Sequence, residues 1–304
     1  MNFIYEGKDI TNSIDINKAE IIENSGTYID NIVAYINNSV NEWSEWKPKK
    51  NDRLEFKHEG FTSGTMYIDE ILQKKGLIIL KALPIRQQEK QTNTKTWENI
   101  RLNELLNEFA SKHGLTLKTY NTENYLYSKL NQINQSDFSF LCQHCAMEGY
   151  VLKLLNNELI VYNEKHMESI TSGISIDSSE VKDEDFEYRD KSDEIYSACN
   201  VLDGNINYTY KVPGAAGPIL NTRDLMISDL AEAQRFSKNC LRNKNKFERT
   251  IKLKKKLDIN ITAGNTVEIK RFGLADGKYY IYHARHILTN NITELKLRGI
   301  VEGY

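Results

Sequence analysis

This sequence of 304 residues has almost no net charge, few cysteines and no long apolar run. The formal net charge is −2, so the chain has no surplus of positive charge with which to bind nucleic acid. Its four cysteines are too few for a disulfide framework and fit synthesis in a reducing cytoplasm. No apolar run approaches the roughly 20 residues of a membrane-spanning helix, and the N-terminus lacks the apolar core of a signal peptide. We therefore expect no specific nucleic-acid binding and no membrane anchor.

Sequence motifs of catalysis are absent as well. The chain has no GxSxG elbow, no P-loop, no HExxH and no GxGxxG after a strand. Carboxylates are plentiful, but no pair of them stands out for acid–base work. We predict that the protein is not an enzyme, and we assign it no catalytic residue, no cofactor-binding residue, no metal ligand and no cofactor.

Alternating apolar residues and regularly placed turns predict a chain that is mostly β. Strand-like segments occupy most of residues 1–88, and they return after Phe247. We expect an α+β fold, predominantly β, in which two related β-barrel domains flank a small α+β middle domain. The predicted divisions are a first barrel at 1–88, the middle domain at 89–165, and a linker, a helix near 228–243 and the second barrel within 166–304.

The middle domain begins with a polar stretch and a predicted helix. Residues 87–95 are interpreted as a linker that ends at a helix cap, either Thr94 or Thr96. Gly114 is placed to close the helix. The helix has one apolar face, formed by Leu102, Leu105, Leu106, Phe109 and Ala110.

Two of the cysteines lie three residues apart in Cys142-Gln143-His144-Cys145, a spacing typical of half a zinc site or of a thiol redox centre. A structural zinc site needs four ligands, and no second pair is visible in the sequence. A redox pair normally lies at a helix N-terminus, where the dipole lowers the thiol pKa. Here Ser136 is the natural N-cap, which places Cys142 inside the helix.

We therefore predict that the helix after Ser136 packs in the core, with one apolar stripe at positions i, i+3, i+4 and i+7. We predict that His144 lies off this stripe and faces solvent or a neighbouring chain. Gly149 is expected to end the helix, and Asn156-Asn157 to turn the hairpin that follows. The stripe consists of Phe138, Leu141, Cys142 and Cys145.

Three other polar segments have simple interpretations. His283 and His286 lie three apart on a predicted strand, so they face opposite sides and cannot share a metal. The acidic run at 180–194 lacks the glycine and the final glutamate of a calcium-binding loop, and we predict a solvated linker. Two interpretations stay open for the basic run at 242–256, namely a surface for an acidic partner or polyanion and lysine protection of a strand edge.

The two β regions contain a repeat at an offset of 213 residues. Residues 54–71 align without gaps with residues 267–284, with identities at six of the eighteen positions and the same alternation of apolar residues. Hairpin glycines are needed where φ is positive, so their spacing is a physical constraint. We interpret the first and last domains as copies of one β-barrel. The glycines expected at the hairpin turns are Gly60, Gly64, Gly273 and Gly277.

The ordered set of segments resembles the phage late control gene D proteins. These are the central baseplate hubs of contractile tails, and they are related to the hub part of type VI secretion spike proteins. The first stretch that carries the resemblance is IYEGKDITNSI…EWSEWKPKKNDRLEF…GTMYIDEI. The middle stretch is similar to the motif SDxxFLxxxAxxEG through Ser136, Asp137, Phe140, Leu141, Glu148 and Gly149. The last stretch is similar through Gly264, Asn265, Val267, Gly273, Asp276, Gly277, Tyr279, Ile281 and His286.

The resemblance implies a structural protein that assembles as a homotrimer, each chain contributing two related barrels. Three chains would form a ring of pseudo-sixfold symmetry that faces the tail tube, while the other end docks a trimeric central spike. The repeat is what such an adaptor requires, because duplication within a chain turns threefold symmetry into near-sixfold symmetry.

The resemblance also implies partners and a location. The partners would be the tail tube protein, the central spike protein and other baseplate proteins of a phage tail or of a phage-tail-like bacteriocin (tailocin). The location would be the bacterial cytoplasm during assembly and then the baseplate of the released particle. Because the sequence ends at Tyr304, soon after the second barrel, we expect any spike or peptidoglycan-cleaving activity to come from another chain.

Two alternatives from other functional classes remain open. One is a tail-associated cell-wall hydrolase. The other is a thiol or zinc protein that uses Cys142 and Cys145.

Overall fold

A computed structural model describes residues 1–26, 28–39, 43, 47–193, 195–223 and 225–304. Most of the EWSEW segment in the first stretch of the resemblance lies outside these residues, and so does Glu194 at the end of the acidic run.

Strands dominate the described part of the chain. The first region contains β1 (Asn2–Tyr5), β2 (Lys8–Asp9), β3 (Ile16–Asn24), β4 (Asn31–Asn37), β5 (Arg53–His58), β6 (Phe61–Thr62), β7 (Met66–Lys74) and β8 (Leu77–Leu83). The middle region contains β9 (Thr92–Arg101), α1 (Leu102–Lys112), β10 (Thr116–Tyr120), β11 (Leu126–Ser136), α2 (Asp137–Met147), β12 (Tyr150–Leu155), β13 (Glu158–Asn163) and α3 (Glu164–Ser169). The last region contains β14 (Ser175–Asp177), β15 (Phe186–Asp190), β16 (Ala198–Asp203), β17 (Ile206–Lys211), β18 (Ile219–Arg223), α4 (Leu230–Asn245), β19 (Arg249–Lys256), β20 (Thr266–Lys270), β21 (Gly277–Ile287) and β22 (Ile292–Gly299).

Except for β16, β17 and β18, which form a separate three-stranded sheet, the strands of both outer β regions belong to one 14-stranded sheet. Its main path runs β15-β19-β22-β21-β3-β4-β8-β7-β5-β1-β2, and β6, β14 and β20 attach beside it. The two halves meet where β21 pairs antiparallel with β3. The prediction of a predominantly β fold is confirmed. The described strands form an open path that is shared by both regions, which differs from the expected pair of separate closed barrels.

Each half of the sheet has its own apolar core. Alternate side chains of a strand point to the same face, and in the first half these include Ile32, Phe56 and Leu80. The first core also receives Ile259 and Leu288 from the last region, which ties the halves together. The core of the second half includes Ile251, Leu253, Val267, Ile281 and Leu297.

The start of the middle domain differs from its sequence prediction. Thr94 and Thr96 do not cap a helix, because they lie within β9, which pairs antiparallel with β11. This long-range pairing outweighs the local helical pattern of the segment. The helix begins later, at Leu102. Its predicted apolar face is buried, and Gly114 follows it with φ +67°.

The acidic run is also more ordered than predicted. Residues 186–190 form β15, an edge strand of the large sheet, and not a solvated linker. The backbone hydrogen bonds between β15 and β19 order this segment. The polar sequence alone gave no reason to expect a strand there.

Candidate assembly interface

The helix that carries the cysteine pair lies inside the molecule. Ser136 Oγ accepts a hydrogen bond from the backbone N–H of Ser139 at 3.4 Å, as expected of an N-cap. Phe138, Leu141 and Cys145 are buried, and Cys142 is partly buried. Burial raises the pKa of the Cys142 thiol to about 11 and raises the pKa of Cys145 further. Both groups are therefore neutral thiols near pH 7, which suits packing and not nucleophilic or metal chemistry.

The prediction that His144 faces solvent or a neighbouring chain is wrong. Its side chain is buried, with ring centroids of Tyr127, Phe140 and Phe236 at 4.6, 6.1 and 5.9 Å. The helix has apolar neighbours on two sides, because α4 covers the side that the sequence pattern left open. Burial lowers the pKa of His144 to about 4, so the ring is neutral at physiological pH.

An open cavity of about 550 Å³ lies beside this helix, between α2, β11, β18 and α4. Its lining is mainly apolar and includes Leu130, Ile133, Leu220, Met226 and Phe236. Among the residues that the structure describes, no three His, Cys, Asp or Glu side chains are grouped as metal ligands would be. Within the same described ranges, no helix has the length and apolar character that crossing a membrane requires.

The two histidines of β21 make separate contacts. The Nδ1 of His283 lies 2.9 Å from Asn24 Oδ1, and the Nδ1 of His286 lies 3.0 Å from Thr293 Oγ1. Burial lowers the pKa of each ring to about 4. Each histidine is therefore a neutral hydrogen-bonding group of the sheet.

The basic and acidic runs pair with each other. Strand β19 lies between β15 and β22, so its lysines do not protect a sheet edge and that interpretation is wrong. The acidic partner lies in the same chain, in β15 and in the turns that precede it. The ion pairs join Lys252 to Glu187 at 3.1 Å, Lys254 to Asp185 at 3.4 Å and Lys255 to Glu180 at 2.7 Å.

The repeat found in the sequence has the same register in the structure. In the first half, Arg53 lies opposite Tyr67 and Leu54 lies opposite Met66. In the second half, Thr266 lies opposite Tyr280 and Val267 lies opposite Tyr279, which is the same pairing shifted by the offset of the repeat. The glycines of the repeat all have positive φ: Gly60 (+86°), Gly64 (+68°), Gly273 (+69°) and Gly277 (+134°).

The structural repeat extends far beyond the aligned segment. Strands β3-β4-β8-β7-β5 form one half and strands β15-β19-β22-β21-β20 the other, in the same order of neighbours. A register shift follows Ile68 in β7, and the equivalent shift follows Ile281 in β21. Because a bulge is a specific local feature, its presence at matching positions identifies the two halves as copies of one five-stranded unit.

A buried ionic cluster joins the middle domain to the second half of the sheet. Arg298 of β22 has no exposed surface, and its guanidinium lies 3.0 Å from Glu164 and 2.5 Å from Glu168 of α3. Arg242 of α4 pairs with both carboxylates, and Lys246 lies 3.1 Å from Glu164. These cations hold the pKa of Glu164 well below its usual range despite burial. Sequence reasoning missed this cluster because its members are far apart in the chain and have no shared motif.

Comparisons with known proteins agree with this architecture. No protein-family model and no curated protein matches the sequence. The fold, however, is that of phage tail proteins, and the structural similarity extends over nearly the whole chain. The chain is similar to a tail protein from Neisseria meningitidis, with a TM-score of 0.74 and 14% identity over 98% of this chain and 95% of that chain.

Two further structures extend the likeness. A 43 kDa tail protein of prophage MuSo2 from Shewanella oneidensis has a TM-score of 0.71 and 11% identity, over 97% of this chain and 96% of that chain. A type VI secretion system component of E. coli, itself similar in structure to bacteriophage T4 tail proteins, has a TM-score of 0.57 and 10% identity, over 96% and 75%. The resemblance to tail hub proteins seen in the sequence is therefore confirmed at the level of the fold.

Proposed function

We propose that this chain is a structural hub protein of a contractile injection system, either a phage tail or a phage-tail-like bacteriocin. Three copies form a ring of pseudo-sixfold symmetry that joins the tail tube to the central spike. Each chain contributes two related barrel-like domains, within 1–88 and 166–304, and a middle domain at 89–165. It acts by binding other tail components and not as an enzyme.

The observation that carries this proposal is the five-stranded repeat. Two units with the same strand order, register and bulge give one chain two nearly equivalent surfaces. A homotrimer of such chains presents six similar units to a sixfold partner, while the parts that are not repeated keep threefold symmetry. The likeness to tail proteins supports this proposal, because it covers both units and the middle domain together.

No observation favours the two alternatives. The thiols of Cys142 and Cys145 are protonated, with Cys145 buried and Cys142 partly buried, and the described part of the chain shows no grouped metal ligands. The buried acids are engaged by cations or backbone N–H groups, as Glu164 and Glu23 are. A hydrolase would be revealed by clearing of peptidoglycan in a zymogram of the purified chain.

The mass of the particle in solution tests the proposal. We expect light scattering after size-exclusion chromatography to give three times the mass of one chain for the protein alone, or that mass plus the mass of the spike once its spike partner is added. Negative-stain images down the axis should then show six lobes. A monomer at every concentration, with the spike and tube proteins of the same particle present, would contradict the proposal.

A further inference from the structure

The described part of the chain contains one completed junction between two repeat units. Across it, the second half of β21 pairs with β3, from His283 opposite Asn24 to Ile287 opposite Glu20. Arg285 also reaches across the junction, with its guanidinium 2.5 Å from the Glu20 carboxylate. A ring built from such units needs the reciprocal junction, between the first unit of one chain and the second unit of the next.

Matching registers identify the residues of that reciprocal junction. A row of directly opposed residues crosses the first unit through Ile68, Ala82, Ile32 and Ile21. The corresponding row crosses the second unit through Ile281, Leu297, Ile251 and Tyr188. Tyr188 of β15 is therefore the equivalent of Ile21 of β3. By the same correspondence, residues 70–74 of β7 match residues 283–287 of β21, and residues 187–191 match residues 20–24.

These two matching segments are open edges. Strand β15 ends the described sheet and pairs with β19 alone. Beyond Tyr67, β7 pairs with β8 on one side, and within the described residues no strand lies against its other side. Open strand edges invite pairing with another chain.

Side chains at the internal junction are more buried than the equivalent side chains on the two open edges. This difference is expected if each open edge lacks its neighbouring strand. His286 of β21, which pairs with Ile21 of β3, is fully buried, whereas its equivalent in β7, Gln73, is exposed. Ile21 of β3 is 2% exposed, whereas its equivalent in β15, Tyr188, is half-buried. Leu72, in the middle of the open β7 edge, is 41% exposed. Each edge thus has a large side chain with exposed surface, Leu72 on β7 and the half-buried Tyr188 on β15.

We propose that residues 70–74 of one chain pair antiparallel with residues 187–191 of a second copy, continuing the sheet from chain to chain. In the register of the internal junction, both ends of the segment bring opposite charges together. Glu70 lies opposite Lys191, and Lys74 lies opposite Glu187. Directly opposed charges of opposite sign stabilise a strand pair.

The interface is head-to-tail, because each chain offers one edge of each kind. Such a contact closes into a ring or continues as a filament, depending on the rotation between copies. This inference rests on the proposed trimeric ring, and it adds the surface and the register by which the ring closes.

A cysteine pair tests the register. In the double variant Leu72→Cys/Arg189→Cys, the two new thiols are directly opposed across the proposed interface. We expect mild oxidation to give chains linked to each other, seen on a non-reducing gel, with the largest closed species at three chains. The matched control is Leu72→Cys/Asp190→Cys, because a shift of one residue turns the second side chain to the other face. The control should link at least about tenfold more slowly, since side chains on opposite faces do not meet.

The outcomes separate this inference from the proposed function. Linked species that stop at three support both. Linked species that continue beyond three support the strand pairing and contradict the trimeric ring. A trimer by mass that links no faster than the control overturns the strand pairing and leaves the trimer standing.

A charge exchange gives a second test that keeps the native backbone. Glu70→Lys alone and Lys191→Glu alone each place like charges opposite each other, and each should raise the concentration at which the assembly dissociates, by roughly fivefold per interface. The double exchange Glu70→Lys/Lys191→Glu should restore the assembly to near its original strength. Additive weakening in the double variant, with the circular dichroism spectrum unchanged, would overturn the proposed register.

Discussion

Glu23 is a carboxylic acid buried in β3, next to the junction of the two sheet halves. Its Oε2 accepts a hydrogen bond from the backbone N–H of Ala263 at 3.1 Å. Burial raises its pKa to about 7, although the nearby cation Lys153 opposes that shift. The folded state therefore binds this proton more tightly than the unfolded chain, whose carboxyl has its ordinary pKa near 4.5.

This raised pKa predicts a pH dependence of stability. The stabilising contribution of the protonated Glu23 is complete below about pH 4.5 and is lost as the pH rises through about 7. The free energy of unfolding should therefore decline between about pH 4.5 and 7. We expect Glu23→Gln to reduce this decline by at most about 3 kcal/mol. The measurement is unfolding in urea at several pH values. Part of the decline should remain, because the pKa of buried Glu232 is also raised to about 7.

Glu98→Gln, at an exposed position, is the matched control and should leave the pH profile unchanged. If the two variants had the same profile as the original protein, Glu23 would be ionised in the folded state throughout this range. The buried proton assigned to it would then be wrong.

At the scale of single elements, the hairpin glycines of the repeat have different surroundings. A side chain at Gly64 would place its Cβ 2.4 Å from Asn156 Oδ1, in the hairpin turn of the middle domain, whereas one at Gly277 would meet no atom within 4 Å. Both have positive φ, which costs a β-branched residue about 1–3 kcal/mol. We expect the free energy of unfolding to fall by that amount in Gly277→Val and by more in Gly64→Val. Assembly should be weakened in both variants.

The comparison variant for these hairpins is Gly173→Val. Gly173 has neither the left-handed φ of the hairpin glycines nor a neighbouring atom within 4 Å of its Cβ position. Chemical denaturation and the mass in solution should rank the variants, with Gly64→Val the least stable and Gly173→Val nearly unchanged. Equal stability of the three would show that the hairpin conformation places no demand on these positions.

Turns could be predicted from the sequence because they depend on the types of a few neighbouring residues. Elements that depend on contacts with distant parts of the chain could not. Gly114, Gly149 and the Asn156-Asn157 turn all adopt positive φ, as their residue types suggest. Strand β9 was mistaken for the end of a linker and the start of a helix, since only its partner β11, distant in the chain, makes it a strand. His144 was misplaced for a similar reason, because the helix that covers it comes some ninety residues later, at Phe236.

The repeat shows the same limit at the scale of the whole molecule. Sequence identity revealed only the hairpin segment, where glycines constrain the backbone. The other strands keep their order and register with different residues, as Ala82 and Leu297 illustrate in β8 and β22. The β3–β21 junction has no sequence signal, because it joins residues about 260 apart whose pairing depends on the folded units. Register, and not identity, is therefore what the two copies share.

The ionic cluster around Arg298 joins the middle domain to the second half of the sheet, and its removal tests that coupling. Arg298→Met would leave the buried carboxylates Glu164 and Glu168 with fewer cations, and breaking one member of a buried ion pair costs about 3–5 kcal/mol. We expect a loss of this size in the free energy of unfolding at pH 7. Hydrogen exchange should also become faster in α3, the helix that carries both carboxylates.

The matched control is Arg271→Met, which removes an arginine that is 71% exposed and paired with Asp177. Exposed pairs contribute about 1 kcal/mol or less, so this variant should remain close to the original stability. The cluster stabilises through a lowered pKa of Glu164, so its contribution is present above about pH 4.5, the ordinary value for that carboxyl, and fades as the pH falls below it. The difference between the two variants should therefore shrink in acid. A difference that is absent at pH 7, or that grows as the pH falls, would mean that Arg298 does not hold the domains together through Glu164.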